Sequence, residues 1–537
     1  MAPTPTPSMH SISSTVAPSP DESSPVPPSA AAKDGAKDEE IGSASAPAND
    51  TTPHHHADKD PWLVTFDGPG DKTDPRNWSI AYKSFATFQL AMLAFAASLG
   101  SSIVSPAEKA IGAYVHVGQE VMVLAISLYV LGFALGPLLW GPISEVWGRR
   151  WSLLPPMFCL GLFSIGTATS TNAQAVFITR FFAGVFGSAP VANVGASMGD
   201  MYNSKARGIA ISIYAIAVSA GPTLGPIIGS ALTVKVSWRW TEYLQAIITF
   251  AALALAFFCL PELYSPVLLQ RKAQRLRRET GETRWHHPHE DIKLDVNSIV
   301  TKQLSRPLIL LTTEPMVTLI CLYASFVYGL LYMTLEVFPI VFSEMRHWGP
   351  IVSTLPFASL TIGILFALII NIGNQPFYFR AVERNKGRPV PEARLPPVFI
   401  GSILFTTGLF WFGWTADPKF HWLIPCFAIG FIGAGFTVIF QQCINFLVDT
   451  YGLYAASAVS ANTFLRSIFG CGLPLAAGPM FHNMGVGPAM SVLGAVAAAA
   501  IPVPLIFMRY GRTLRKMSRF APVHEDEDEE KDAANKA

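Results

Sequence analysis

Apolar runs of about 20 residues recur from residue 82 onwards, and this pattern limits the possible folds more than any other feature of the sequence. A helix of that length crosses the roughly 30 Å hydrocarbon core of a bilayer. Only 14% of the residues are charged, against roughly 25% in soluble domains. The runs predict an all-α membrane protein with twelve transmembrane helices in two six-helix bundles.

The twelve predicted spans form two sets of six, separated by a polar interval. Spans 1 to 6 are predicted at 82–104, 119–140, 151–170, 173–197, 206–231 and 238–260. Spans 7 to 12 are predicted at 314–341, 350–372, 395–415, 420–446, 453–475 and 486–508. Two related bundles around a central cavity are the arrangement that such a six-plus-six pattern favours.

The segments outside the spans divide the rest of the chain. Residues 1–60 are rich in Pro, Ser, Ala and Thr and bury too little apolar surface to become ordered. The predicted segments are a disordered tail at 1–60, a membrane-approach segment at 61–81, a bundle at 82–260, a cytoplasmic linker at 261–313, a bundle at 314–508 and an acidic tail at 509–537. Basic residues concentrate in the linker and in the loops on its side, which predicts that both termini are cytosolic.

The sequence GPISEVWGRR, at 141–150, is a polar loop between two apolar spans. We expect its glycines to permit a tight reversal, and its charges to form an ion pair in one conformation and lose it in another. The alternative is that the arginines only enforce topology. The predicted latch residues are Gly141, Ser144, Glu145, Gly148, Arg149 and Arg150.

Span 5 carries glycines at four-residue spacing, which places them on one helix face and allows another helix to approach closely. Two prolines remove internal hydrogen bonds and bend the helix. A bent helix with a smooth face can pivot against its neighbour, although static packing would use the same residues. The predicted hinge residues are Gly221, Pro222, Gly225, Pro226 and Gly229.

Ionisable side chains within spans are costly and should face a cavity or a partner. Arg180 lies in span 4, and Glu336 is the only Asp or Glu that the predicted boundaries place well inside a span. The histidines all fall near span ends. Burial favours the protonated form of a carboxylate, and a nearby arginine favours the ionised form. We therefore expect Glu336 to load and release a proton, with Arg180 modulating it. The alternative is a permanently paired structural glutamate.

Aromatic and amide side chains on spans 1, 7, 10 and 11 would suit an amphipathic small molecule, because rings stack and amides orient a ligand. Ordinary packing explains any single one of them equally well. The candidate substrate-binding residues are Gln89, Tyr323, Tyr328, Tyr332, Gln441, Gln442, Asn445, Asn462 and Arg466.

Several motifs together resemble a known family. The loop at 141–150 resembles the signature loop of the major facilitator superfamily, and RFFAGVFGSAP (180–190) resembles its span-four motif. GPTLGPIIGS (221–230) resembles the span-five motif of its drug:proton antiporters, with Ser230 in place of a terminal glycine. With DMYNSKARG (200–208), PELYSPVLLQRKAQRLR (261–277) and SANTFLRSIFGCGLP (460–474), the chain resembles fungal twelve-span drug:proton antiporters. The resemblance implies the major facilitator fold and the export of drugs or polyamines.

Transport is the function that these features favour. We expect a secondary active transporter for proton-coupled efflux of a small amphipathic molecule, such as a drug, a secondary metabolite or an organic acid. A proton-coupled importer, a uniporter and a nutrient sensor remain alternatives. An enzyme is not expected, since the spans hold no histidine pair, cysteine pair or acidic motif. The absence of GxxxxGK[ST] argues against ATP-driven pumping.

The expected partners are the small-molecule substrate, protons and the lipid bilayer. No cofactor, metal or nucleic acid is expected, and the protein is expected to be a monomer. The plasma membrane is the expected location, with the vacuolar membrane as the alternative.

Overall fold

The computed structural model describes residues 60–68, 70–291, 305–385, 389–516 and 518. Almost all of the predicted N-terminal tail, much of the acidic C-terminal tail and part of the linker therefore lie outside the described residues. Within the described part, twelve helical segments are long and apolar enough to cross a membrane. They are Ile80–Val115, Gln119–Trp147, Arg149–Thr169, Ala173–Met201, Ala206–Lys235, Arg239–Cys259, Pro315–Met345, Val352–Arg384, Pro391–Thr415, Leu423–Tyr451, Ser457–Met484 and Val486–Gly511.

The number and order of the predicted spans are confirmed, but several ends are wrong. Span 1 continues to Val115 through a 3-10 turn at Ser105–Ala107, span 2 continues to Trp147, and span 8 continues to Arg384. Apolar runs show only the part of a helix that lies in hydrocarbon. The helical hydrogen bonds continue into polar sequence beyond it, so the real helices are longer.

Some spans depart from regular α-helix. Span 7 ends in a π-helical turn at Ile340–Met345, after the α-helix Pro315–Pro339. Span 12 consists of Val486–Ala500 and Pro502–Lys516, divided before a proline that cannot donate a backbone hydrogen bond. The linker begins with the helix Ser265–Thr280, hereafter the linker helix, and a further helix, Ser305–Thr313, precedes span 7.

The two bundles repeat the same packing. In the first, span 1 packs on span 5, span 2 on span 4, and span 3 on spans 4 and 6. In the second, span 7 packs on span 11, span 8 on span 10, and span 9 on spans 10 and 12. Between the bundles, span 2 meets span 11 and span 5 meets span 8. Adding six to each span number converts one contact set into the other, so the bundles are related repeats.

Glycines set the closest helix contacts in both bundles. A Cβ atom on Gly184 of span 4 would lie 2.1 Å from the Tyr129 carbonyl oxygen of span 2. At the equivalent contact, a Cβ atom on Gly363 of span 8 would lie 2.1 Å from the Gly430 carbonyl oxygen of span 10. Small residues are needed where backbones approach this closely in a membrane.

The membrane-approach segment is tied to the linker. The Val64 amide donates to the His286 carbonyl (3.1 Å), and the His286 amide donates to the Trp62 carbonyl (3.1 Å). The Lys272 ammonium of the linker helix lies 2.8 Å from the Asp67 carboxylate. We call the end of the bundles where this linker attaches the linker end, and the other end the far end.

Candidate transport site and conformational latch

Arg149 holds together three spans and the linker at the linker end. Its Nε donates to Asp200 Oδ2 at the end of span 4 (2.8 Å), and its Nη1 donates to Ser144 Oγ of span 2 (2.5 Å). The guanidinium lies 4.7 Å from the ring centroid of Tyr264, and burial raises the pKa of that phenol to about 12. The predicted latch therefore contains a partly buried ion pair, although its acid is Asp200. Glu145 lies near the end of span 2 and is exposed.

The reversal between spans 2 and 3 occurs at Gly148 alone. Gly148 has φ +96°, a conformation that favours glycine, and a Cβ atom there would lie 2.5 Å from Glu262 Oε2. Gly141 was expected to share in the turn, and this is wrong. It lies inside the helix Leu124–Trp147, which continues because its hydrogen bonds do not require an apolar sequence.

Glu262 caps the start of span 3 from the linker. Its Oε1 accepts from the Arg149 amide (2.7 Å), and its Oε2 accepts from the Arg150 amide (3.2 Å). Oε1 also accepts the amides of Leu263 and Tyr264, each at 3.0 Å. A carboxylate at a helix N-terminus is stabilised by the free amides and by the helix dipole. Sequence reasoning missed both Asp200 and Glu262, although each lies in one of the quoted motifs.

Replacing Glu262 should loosen the latch. In Glu262→Ala, four backbone amides lose their acceptor, and we expect a loss of about 1–3 kcal/mol in the free energy of unfolding. Glu262→Gln is the matched control, because its amide oxygen can still accept at the position of Oε1. The stability of both variants is measured as the thermal midpoint of unfolding of the purified protein in lipid nanodiscs. Equal midpoints for the wild type and the alanine variant would contradict the capping role.

Arg180 is buried in the first bundle and paired with an acid that the sequence analysis did not select. Its Nη1 lies 3.1 Å from Glu242 Oε1 of span 6, and the two side chains are 1% and 0% exposed. The guanidinium also donates to the Gly100 carbonyl (2.7 Å) and the Ala125 carbonyl (2.9 Å), and it lies 4.5 Å from the Tyr129 ring centroid. The direct ionic partner of Arg180 is therefore Glu242, and its modulation of Glu336 stays a prediction.

Glu336 is also not the only carboxylate within the spans. Glu242 and Glu108 are 0% and 3% exposed, and Glu108 belongs to the last helix of span 1, in sequence that the apolar runs assigned to a loop. Oε1 of Glu108 and Oε1 of Glu336 are both buried without a hydrogen-bond partner among the described residues. The two carboxylates are close enough to interact electrostatically. They come from different bundles, so this pair lies at the interface between them.

Polar contacts join the bundles on both sides of their midplane. Toward the far end, Glu344 of span 7 lies 3.5 Å from Lys109 Nζ of span 1, and within its own bundle it lies 3.0 Å from His482 Nε2. The Tyr332 hydroxyl donates to Ser101 Oγ (2.9 Å). Nearer the linker end, the Gln441 amide donates to Ser212 Oγ (3.0 Å).

A narrow cavity lies between these contacts and receives side chains from both bundles. Its lining residues are Ser98, Val218, Ser219, Pro222, Tyr328, Leu331, Tyr332, Phe436 and Phe440. It leaves room for about one water molecule, so the site is closed around its midplane in this conformation. Among the described residues, no group of three or more His, Cys, Asp or Glu side chains could hold a metal ion.

The candidate substrate residues fall into four groups. Tyr328 and Tyr332 line the cavity, and the guanidinium of Arg466 lies 5.1 Å from the Tyr328 ring centroid and 4.9 Å from that of Phe440. Tyr323 instead shares a hydrogen bond with Ser402 inside the second bundle (2.6 Å), because its side chain faces span 9.

The amide side chains form the other two groups. Gln441 and Gln442 bind the two ends of the Asn371 side chain, and Asn445 donates to Gln442. Gln89 and Asn462 are each 1% exposed, and within the described chain both polar atoms of each lack a hydrogen-bond partner. Burying such groups without partners costs free energy, which is typical of a site awaiting a ligand or a conformational change.

Two related six-helix bundles with a cavity at their interface and ionic contacts at both ends define a membrane transporter that works by rearranging one bundle against the other. A family model described as Major Facilitator Superfamily matches residues 90–474. The chain belongs to this superfamily.

Curated relatives cover most of the chain. The multidrug transporter FLU1 of Candida albicans is 40% identical over 87% of this chain and 77% of its own length. The multidrug transporter TPO1_2 of Candida glabrata is 42% identical over 86% of this chain and 80% of its own length. The efflux pump bik6 of Gibberella fujikuroi is 41% identical over 86% of this chain and 95% of its own length.

A solved structure confirms the fold. The xylose transporter XylE from E. coli, in a partially occluded inward-open conformation, matches with a TM-score of 0.58 and 16% identity. The match covers 80% of this chain and 98% of that one. At this identity it shows the shared architecture alone.

Proposed function

We propose that the protein is a proton-coupled exporter of small amphipathic molecules that works by alternating access. The direction of transport is supported by the relatives, which are named multidrug transporters and an efflux pump at 40–42% identity. The observation that carries the proton coupling is the pair of carboxylates, Glu108 and Glu336, whose buried oxygens lack hydrogen-bond partners in the described chain.

The charge balance of the buried groups supports this role. The two nearest cations already have other carboxylate partners: Arg180 pairs with Glu242 at 3.1 Å, and Lys109 pairs with Glu344 at 3.5 Å. Two ionised carboxylates at this interface would repel each other and lose part of their hydration, whereas a proton removes both costs. The pair lies between the bundles toward the far end, so separating the bundles there would rehydrate the carboxylates and let them exchange a proton with the solution on that side. Glu336 keeps its predicted role, with Glu108 as its neighbour.

The basic residues support the proposed topology. Arg149 and Arg150 lie at the linker end, as does the linker helix with its dense basic sequence. Under the positive-inside rule this end faces the cytosol, together with both termini. We propose the plasma membrane as the location, and a monomer as the working unit.

Proteoliposomes with an imposed pH difference test the proposal. The probes are a panel of anionic, uncharged and cationic fluorescent amphiphiles. An acidic lumen should drive the accumulation of at least one of them. As that amphiphile accumulates, the lumen should become more alkaline. We expect Glu336→Gln and Glu108→Gln each to reduce this accumulation by roughly tenfold, because neither can exchange a proton. Exchange of substrate at equal pH should persist.

Glu120→Gln is the matched control, since Glu120 is an exposed carboxylate at the same end of the bundles. Proteoliposomes with this variant should accumulate as much amphiphile as those with the wild type. If the wild type moves no member of the panel under a pH difference, the export function is wrong. If both glutamine variants retain full proton-driven accumulation, the carboxylates are not the proton carriers.

A further inference from the structure

Three arginines in the described chain are less than a tenth exposed: Arg149 at 8%, Arg180 at 1% and Arg466 at 5%. Two of them have a carboxylate partner, Asp200 for Arg149 and Glu242 for Arg180. Arg466 has neither an ion pair nor a hydrogen bond to any described residue, and its Nε is fully buried. Burying an ion without a partner is strongly unfavourable, so this guanidinium is built for a partner that the rest of the described chain does not supply.

The surroundings of Arg466 are aromatic. Its guanidinium lies about equally far from the Tyr328 and Phe440 ring centroids, at 5.1 and 4.9 Å. The Tyr328 and Phe440 rings are inclined by 28° at 5.9 Å, and the Phe436 and Phe440 rings by 10° at 5.7 Å. These three rings line the cavity between the bundles. Nearly parallel rings offer flat surfaces on which another flat ring can stack.

A second unpartnered side chain lies on the same face of span 11. Asn462 precedes Arg466 by one helical turn, so the two side chains project from one side of the helix. Asn462 is 1% exposed, and neither polar atom of its amide has a hydrogen-bond partner in the described chain. One helix face therefore presents a cation with several donors beside an amide that can both donate and accept.

We infer that Arg466 is the anion-recognition group of a substrate site for planar aromatic acids, an inference that rests on the proposed export function. The flat ring of the substrate stacks among Tyr328, Phe436 and Phe440 when the bundles separate enough to admit it. Its carboxylate accepts hydrogen bonds from the Arg466 guanidinium, whose planar fork matches a carboxylate. Asn462 binds a neighbouring hydroxyl or carbonyl group.

The same arrangement discriminates against cations. An ammonium group of equal size would approach an uncompensated guanidinium, and the described lining of the cavity contains no carboxylate to offset the repulsion. Cationic amphiphiles should therefore bind more weakly than acids of the same shape. Uncharged analogues should fall between the two, because stacking does not depend on charge.

Three probes of one shape test the site: anthracene-9-carboxylate, anthracene-9-carboxamide and 9-(aminomethyl)anthracene. Binding to the full chain in lipid nanodiscs is followed by the fluorescence of the probe, without any pH difference. We expect the carboxylate to bind about tenfold more tightly than the carboxamide, and the ammonium most weakly. Arg466→Gln should abolish the difference between carboxylate and carboxamide while leaving carboxamide affinity within about twofold, which also shows that the variant is folded.

Arg239→Gln is the matched control. Arg239 also lies over two rings, 4.4 Å from the Tyr114 centroid and 4.6 Å from the Trp238 centroid, but at the far end of span 6. The Arg239→Gln variant should still bind the carboxylate probe more tightly than the carboxamide. Arg466→Lys should keep only part of this preference, because an ammonium retains the charge without the fork.

Two results would overturn the inference: equal affinity of the wild type for carboxylate and carboxamide, or an undiminished preference in Arg466→Gln. Either result leaves the export function standing if proteoliposomes still accumulate an amphiphile under a pH difference. Conversely, a selective binding site in a protein that moves no probe would support the recognition chemistry and contradict the export function.

Discussion

Arg180→Ala is expected to lower the free energy of unfolding by about 3–5 kcal/mol, because it leaves Glu242 as an uncompensated charge in a dry interior. Glu242 is 0% exposed and pairs directly with Arg180 at 3.1 Å, so water cannot replace the guanidinium without separating the helices. Arg180 also joins span 4 to the carbonyls of Gly100 and Ala125, and these links are lost as well. The thermal midpoint in lipid nanodiscs should fall by roughly 10 °C.

The double variant Arg180→Leu/Glu242→Leu is the control that isolates the charge. Replacing both members of a buried pair by apolar residues is often neutral, so the double variant should recover most of the lost midpoint. A double variant as unstable as Arg180→Ala would mean that the carbonyl links, rather than the ion pair, stabilise this region. An unchanged midpoint in Arg180→Ala would contradict the pairing altogether.

Gly229→Ala is expected to abolish most transport. A Cβ atom at this position would lie 2.1 Å from the backbone carbonyl oxygen of Ile103, and a backbone atom cannot move aside as a side chain can. Cβ atoms on Gly221 and Gly225 would lie 2.5 Å from Ser98 Cβ and 2.1 Å from Ser102 Oγ, which are side-chain atoms of the same span. All three predicted hinge glycines therefore lie against span 1, and one methyl group must push the two spans apart.

Gly472→Ala is the matched control, because a Cβ atom at Gly472 meets nothing within 4 Å. Alanine favours a helix over glycine by about 1 kcal/mol, so this variant should be as stable as the wild type or slightly more so. Transport per folded molecule, measured in proteoliposomes, decides between a hinge and static packing. If Gly229→Ala loses stability but its folded molecules turn over at the wild-type rate, the contact is static packing and the hinge is wrong.

The charged groups illustrate where sequence reasoning stops. Glu242 follows a polar stretch at the start of span 6, and Glu108 lies in sequence that is less apolar than a typical span. Glu242 therefore fell near the start of predicted span 6, and Glu108 fell in a predicted loop. The helix pairing carries them inward: span 6 brings Glu242 to Arg180, 62 positions away in sequence, and the last helix of span 1 turns Glu108 toward span 7. Similarly, Glu262 reaches the start of span 3 from 113 positions away.

The sequence alone predicts the number and order of the spans, because a helix must bury about 20 apolar residues to cross hydrocarbon, and that requirement is local. It also determined the glycine face of span 5 and the polar loop before span 3, since both depend on spacing along one chain segment. The packing of the helices was needed to show which acid neutralises which buried arginine, and that Arg466 has no acidic partner among the described residues. Those pairings depend on distances between helices. A buried charge is stabilised only if the packing places a group of opposite charge beside it.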